Sequence, residues 1–216
     1  MATTNRIINP APPNLPLGTQ EYERRFQDQY SNVLRLYFNQ LRNSLSELLG
    51  NAGGRYLALP YGAFSSSVDQ TTTANTATLM TLNTTDFANG VSINSSKITA
   101  EFAGVYNLQF STQFQNTDNQ IQDISIWLRQ NGTDVPGSTG LVSIPARKSA
   151  SAGEEAHEII GWNYYVSMNA GDYIQIYWST TLASVTIQAY NASTGPTRPS
   201  TQSVVATLSF VSALPA

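Results

Sequence analysis

A regular alternation of apolar and polar side chains runs through the chain from Tyr56 onward and most restricts its fold. The alternation is clearest at 104–114, 121–132, 171–181 and 202–213. Because successive side chains of a β-strand point to opposite faces, this period predicts strands with one buried face. The side chains that share the expected buried faces are Tyr106, Leu108, Phe110, Ile124, Ile126, Leu128, Ile174, Ile176, Trp178, Val204, Ala206, Leu208 and Phe210.

Four more segments have strand-like composition, at 77–85, 95–104, 158–168 and 184–190. Turn signals separate the segments, among them the Asn-Gly pair at 131–132. About eight short strands with turns between them predict an all-β sandwich.

The opposite faces of the same strands also carry large side chains. Trp and Tyr are enriched where subunits meet, and they are bulky for a face that meets only water. Two interpretations stay open: scattered exposed aromatic residues, or a subunit interface. The candidate interface residues are Gln109, Trp127, Tyr173, Gln175 and Tyr177.

One long amphipathic helix is predicted at 19–50, ahead of the strands. Thr19 is a candidate N-cap, Glu21 and Glu23 fall early in the segment, and Gly50 is a candidate C-terminal residue. Five apolar residues recur at alternating spacings of four and three, the pattern of a packed helical seam: Leu34, Phe38, Leu41, Leu45 and Leu48. Tyr30, Val33 and Tyr37 follow the same kind of spacing on a second, shifted stripe.

This helix must bury its apolar stripe against something. Either it packs on its own domain, or it is a stalk or anchor that associates with copies of itself or with a larger particle. The second interpretation is favoured because the apolar residues follow two shifted lines along the helix. The apolar surface is therefore wider than packing against one partner needs.

The segments around the helix complete the expected domain organisation. Residues 1–18 contain four prolines and predict an extended arm, since proline blocks helix formation. Residues 51–55 are glycine-rich and predict a hinge, and residues 56–216 form the β domain.

Composition argues against several classes of function. Charged residues make up 12% of the chain, the net charge is −3 and no basic run is present, so nucleic acid is not an expected partner. No apolar run reaches the roughly 18 residues of a membrane span, so no membrane is expected as a partner either.

No enzymatic activity, cofactor, catalytic residue or metal site is expected. His157 is the only histidine, and cysteine is absent. The oxygen-rich segment 116–123 could offer calcium ligands, but it lacks the spacing of a known calcium loop, which favours an ordinary solvated loop.

Several motifs together resemble the tumour-necrosis-factor-like jelly rolls, and among them the globular head of complement's first component. The resemblance covers roughly residues 60–213, in the order of that family's strands. The segments that carry it are YGAFSSS, AGVYNLQFSTQF, SIWLRQNGTDVPGS, VSMNAGDYIQIYW and VATLSFVSAL.

This resemblance implies a ten-stranded jelly roll that assembles as a homotrimer, often above an N-terminal trimeric stalk. The predicted helix stands where that stalk would be. The N-terminal segment NPAPPNLPLGTQEYERRFQDQYSNVLRLYFNQL also resembles small virion proteins of tailed phages that infect marine cyanobacteria.

Two functions follow from these resemblances as expectations. The first is a structural component of a phage virion, a trimeric knob attached to other virion proteins through residues 1–50. The alternative is the tip module of a tail fibre that binds a host receptor or surface glycan. Glycan-binding loops usually present aromatic side chains, and the loop segments TDVPGSTG and NASTGPTRPS contain none, which favours the structural role.

Overall fold

The computed structural model of the protein describes residues 11–18, 20–49, 59–149 and 153–214. The chain divides into two compact units, Met1–Ala58 and Leu59–Ala216. Residues 11–18 have no regular secondary structure. The rest of the predicted arm, Thr19 and the predicted hinge lie outside the described residues.

The described part of the first unit contains one helix, α1, at Arg24–Leu49. It begins later than expected from Thr19, since its first backbone hydrogen bond runs from the N–H of Gln27 to the carbonyl of Glu23 at 3.1 Å. Glu21 and Glu23 therefore precede the helix, and no acidic residue lies in its first turn.

Helix α1 has one partly sheltered stripe and several exposed apolar side chains. Phe38 is 58% exposed, and Leu36 and Leu45 are also exposed. The other predicted seam residues with a described side chain are half-buried: Tyr30, Val33, Leu34, Tyr37 and Leu41. The side chain of Leu48 lies outside the described part of the chain.

The second unit is a sandwich of two antiparallel sheets. In the six-stranded sheet the order is β10 Ala156–Met168, β6 Gly104–Asn116, β15 Val204–Ser212, β1 Tyr61–Ser66 and β3 Thr84–Asn89, with β12 Val185–Ile187 also on β6. In the seven-stranded sheet the order is β4 Val91–Asn94, β5 Lys97–Ala100, β11 Tyr173–Thr180, β7 Gln122–Gln130 and β8 Thr133–Asp134, with β2 Thr78–Leu79 on β11 and β9 Gly140–Ile144 on β7. A small hairpin joins β13 Ser193–Thr194 and β14 Thr197–Arg198.

The strand order is that of a jelly roll. Strand β6 pairs with β10 and β15, whereas β7, which follows β6 in the chain, pairs with β9 and β11 in the other sheet. The chain thus passes repeatedly from one sheet to the other and closes the core between them. Within the described residues, ten strands are four residues or longer. The predicted ten-stranded, all-β jelly roll with one preceding helix is confirmed.

The core lies between the sheets and consists of side chains from the second unit, between Phe64 and Leu208. All the predicted core residues are buried except Phe210, which is partly buried against the core. The largest of them, Trp178, contacts Phe114 edge-on with ring centroids 5.6 Å apart.

The segment at 77–85 does not form the single strand that its pattern predicts. It divides into β2, on the seven-stranded sheet, and the start of β3, on the six-stranded sheet. Between them, side chains take the place of a strand partner: the N–H of Thr81 donates to Oε1 of Gln70 at 2.7 Å, and that of Leu82 to Oγ of Ser96 at 3.0 Å. The chain can therefore cross between sheets with both of these backbone donors satisfied.

Candidate assembly surface

The jelly roll places the five predicted interface residues on two different surfaces. Trp127, Tyr173, Gln175 and Tyr177 lie on β7 and β11, on the outer face of the seven-stranded sheet, whereas Gln109 lies on the outer face of the six-stranded sheet. The sandwich core separates the two faces. Whether either surface joins subunits is not decided by this placement, so the interface stays a prediction.

The aromatic cluster on the seven-stranded sheet is covered by its own charged neighbours. The rings of Trp127 and Tyr177 stack with centroids 6.0 Å apart, and the guanidinium of Arg129 lies 4.0 Å from the centroid of Tyr177. The indole N–H of Trp127 donates to Oδ1 of Asp134 at 2.9 Å, and Arg129 Nε donates to the same oxygen at 2.8 Å. These contacts already satisfy the polar edges of the cluster and shelter its rings.

Two further predicted residues belong to the same covered surface. The ammonium of Lys97 lies 4.4 Å from the ring centroid of Tyr173. Gln175, expected on a solvent-facing position, is only 7% exposed, and its cross-strand neighbour is Arg129. The aromatic cluster therefore offers a partner few bare apolar side chains, and the exposed Leu141 lies beside it on β9.

The ion pair in this cluster has a measurable consequence at acid pH. The hydrogen bond from Arg129, followed by that from Trp127, lowers the pKa of the Asp134 carboxyl below its usual 3.8. Because the folded-state pKa is lowered, the contribution of this ion pair to folding stability is fully present at pH values above the usual, unfolded-state pKa. That contribution is lost as the pH falls through the lower, folded-state pKa. We expect R129Q to raise the midpoint of an NMR titration of the Asp134 carboxyl carbon, and K97Q, on the same face, to leave it unchanged. An unchanged midpoint in R129Q would mean that Arg129 does not hold Asp134 in solution.

The outer face of the six-stranded sheet has the opposite character, because its apolar side chains are bare. Ile159 and Tyr165 on β10 are each 64% exposed, and Phe87 on β3 is 62% exposed. Val205 on β15 and Tyr61 on β1 are also exposed. The rings of Tyr61 and Phe87 contact each other edge-on, with centroids 6.0 Å apart.

The centre of this face is also uncharged. Backbone pairing aligns Asn163, Gln109 and Thr207 in one row across β10, β6 and β15, and Gly161, Ser111 and Val205 in the next. In the central part of these strands, from Val105 to Gln113, from Ile159 to Ser167 and from Val205 to Ser209, the outward positions carry no charge: Val105, Asn107, Gln109, Ser111, Gln113, Ile159, Gly161, Asn163, Tyr165, Ser167, Val205, Thr207 and Ser209. The next outward pair, Gln115 and His157, lies beyond this central part. Depletion of charge is what distinguishes the core of an interface from the rest of a surface.

A shallow depression of about 490 Å³ lies on this face, between Ile159 and Gln109. Gly161 lines it and contributes no side chain. A Cβ at Gly161 would lie 2.4 Å from the backbone oxygen of Phe110, which is far inside contact distance. Glycine therefore lets β10 and β6 approach closely and leaves a hollow beside exposed apolar side chains.

Gly161 should not tolerate even alanine. The new methyl group would push the paired backbones of β10 and β6 apart, so we expect G161A to lower the free energy of unfolding by about 2 kcal/mol or more. Urea denaturation followed by circular dichroism measures this loss. S167A, on the same strand and face, should change stability by less than about 0.5 kcal/mol. Equal stabilities for the two variants would contradict the close approach of the strands.

The side chains considered for metal binding are engaged elsewhere. The carboxylate of Asp118 accepts hydrogen bonds from the N–H of Asn119 at 2.7 Å and from Nε2 of Gln122 at 2.6 Å. Nδ1 of His157 lies 3.0 Å from the hydroxyl of Tyr190. Within the described ranges, no group of three or more His, Cys, Asp or Glu side chains could hold a metal ion. No described helix is long and apolar enough to cross a membrane.

No protein-family model and no curated protein matches the chain. Among solved structures, the globular domain of zebrafish complement 1qA protein matches 72% of this chain and 99% of its own chain, at 13% sequence identity and a TM-score of 0.41. The jelly-roll assignment rests on the strand order and pairing of this chain.

Proposed function

We propose that the chain is a structural assembly protein without enzymatic activity. Three copies associate through the outer face of the six-stranded sheet into a knob. Residues 1–50 attach the knob to other proteins of a larger particle, a phage virion. The observation that carries the proposal is a sheet face whose centre is uncharged and bears the bare side chains of Ile159 and Tyr165, on a domain whose core is already complete.

The choice between the two sheet faces follows from what covers each of them. On the seven-stranded sheet, association would have to displace or desolvate Arg129, Asp134 and Lys97, and taking charges out of water is costly. On the six-stranded sheet, association through β10, β6 and β15 would cover Ile159, Tyr165 and Val205. The Asp86 carboxylate on the edge strand β3 accepts a hydrogen bond from Oγ of Ser65, the cross-strand neighbour of Val205, and would have to stay at the rim. The apolar area removed from water then contributes directly to association.

The attachment role is supported by helix α1. Its side chains at Phe38 and Leu45, seven residues apart on one face, stay exposed, while the sandwich closes its core with residues between Phe64 and Leu208. An apolar stripe of this kind favours packing against copies of itself or into a groove of another protein. The location in a virion is supported by the sequence resemblance of the arm and helix.

The assembly state can be measured directly. Light scattering of the purified full-length chain at micromolar concentration should give three times the 23.5 kDa mass of one chain. A mass of 23.5 kDa at all concentrations would overturn the proposed trimer. For the particle, antibody labelling of purified virions of the encoding phage should mark a discrete position on the head or the tail, and unlabelled virions would overturn that part of the proposal.

A further inference from the structure

A second feature of the sandwich is a polar cleft of about 480 Å³, formed by loop segments near the Gln115 and His157 ends of β6 and β10. Three separate segments line it: 67–69 after β1, 189–191 after β12 and 200–202 before β15. The volume lies within the range of about 300–1,000 Å³ that is usual for sites of small ligands.

Backbone hydrogen bonds fix the three segments to one another. Gln70 and Ile187 exchange two backbone bonds of 2.8 and 2.9 Å, and Tyr190 and Thr201 exchange two of 3.0 and 2.7 Å. The N–H of Ser203 donates to the carbonyl of Ser66 at 2.8 Å. The cleft is therefore pre-formed and would lose little conformational entropy when a ligand binds.

The wall of the cleft is rich in hydrogen-bond acceptors. Oε1 of Gln202 is buried and has no hydrogen-bond partner. Asp69 is exposed, and its Oδ1 accepts the N–H of Ala189 at 2.8 Å. A buried acceptor without a donor is costly, so a turn of the Gln202 side chain toward the cleft, where a ligand hydroxyl can donate to Oε1, would relieve that cost.

Tyr190 supplies an aromatic wall that is held in place. Its hydroxyl lies 3.2 Å from Oε1 of Gln115 and 3.0 Å from Nδ1 of His157, and the rings of Tyr190 and His157 meet at 90°. Burial, followed by the nearby carboxylates of Glu155 and Asp69, raises the pKa of this hydroxyl, so it stays protonated at neutral pH.

The loop that follows Tyr190 carries a cation. Nη1 of Arg198 donates to the carbonyl of Asn191 at 3.3 Å, and its charge acts on Tyr190 in the opposite sense to Asp69. Arg198 therefore offsets only part of the negative charge of Glu155 and Asp69 near Tyr190, and an anionic ligand would be repelled by these carboxylates.

We propose that this cleft binds a neutral saccharide. A sugar ring presents hydroxyl donors for Gln202 and Asp69, and it presents a C–H face suited to the ring of Tyr190. Both ends of the segment NASTGPTRPS line the cleft. The aromatic side chain that this loop lacks is supplied by Tyr190, which directly precedes it in the chain. This proposal does not depend on the trimer or on the role of helix α1.

The test titrates the full-length, isotope-labelled chain with glucose, galactose, mannose and N-acetylglucosamine. With at least one sugar we expect saturable NMR shifts at the backbone amides of Ala189, Asn191 and Gln202, with millimolar affinity. Glycerol, which has hydroxyls but no ring, should not saturate these shifts. D69N, which keeps an acceptor for the Ala189 N–H, should weaken binding about tenfold or more.

Two more variants separate binding from folding. Q202L removes the unpaired acceptor, so it should lose sugar binding without a lower melting temperature. D86N, which changes an exposed carboxylate on β3, should bind like the unmodified chain. No saturable shift at the cleft with any of the four sugars, or undiminished binding in both D69N and Q202L, would overturn the proposal. Cleft amides that shift on dilution of the protein but not with sugar would assign the cleft to a contact between copies, and would also overturn it.

Discussion

Replacing Ile159 and Tyr165 together by aspartate is expected to convert the trimer into folded monomers. In one copy both side chains are largely exposed, so carboxylates there meet water and the sandwich should keep its stability. In the proposed trimer the same carboxylates would be buried against an uncharged face without partners, which costs about 3–5 kcal/mol for each unpaired charge. Light scattering should give the mass of one chain, and circular dichroism should show unchanged β structure.

The control for this experiment is a matched substitution on the other sheet. Leu141 on β9 is also an exposed apolar residue, so L141D adds a charge without touching the proposed interface and should remain trimeric. Y177D tests the surface predicted from the sequence. A trimer that survives I159D/Y165D but dissociates in Y177D would place the interface on the aromatic cluster and contradict the proposed face.

Deleting residues 1–50 is expected to leave a folded β domain that no longer enters the particle. The buried core lies between Phe64 and Leu208, so the deletion removes none of its members. The melting transition of the truncated chain should therefore stay cooperative, since core packing is what sets the stability of a small domain. Incorporation should be lost with the helix, as measured by complementation of a phage that lacks the gene.

A single substitution sharpens this test. F38D places a charge on the exposed part of the apolar stripe of α1, and burial of that charge in a packed seam would prevent docking. N39D adds the same charge at the next position, where the side chain is also exposed and polar, and should be incorporated normally. An unfolded truncated chain would show that the helix belongs to the domain core, and normal incorporation of F38D would assign attachment to another part of the chain.

The sequence by itself determined the positions of the longest strands and most of their buried side chains. Tyr106, Leu108 and Phe110 share one face of β6 because the backbone geometry of a single strand makes alternate side chains point the same way. The same local rule identified Ile174, Ile176 and Trp178 on β11. It also identified α1, although its start depended on the hydrogen bond between Gln27 and Glu23 rather than on a cap at Thr19.

The tertiary structure alone decided which residues are neighbours across strands. Alternation places Gln109 and Trp127 equally on outward faces, but pairing puts β6 and β7 in different sheets, so the two residues lie on opposite sides of the core. The tertiary structure also places Arg129 over the ring of Tyr177, and it leaves Ile159 and Tyr165 exposed. The physical reason is that the strand period is set by bonds within a few residues, whereas sheet order comes from hydrogen bonds between segments far apart in the chain. The cleft follows the same rule, since it forms only where three distant segments, 67–69, 189–191 and 200–202, are held together.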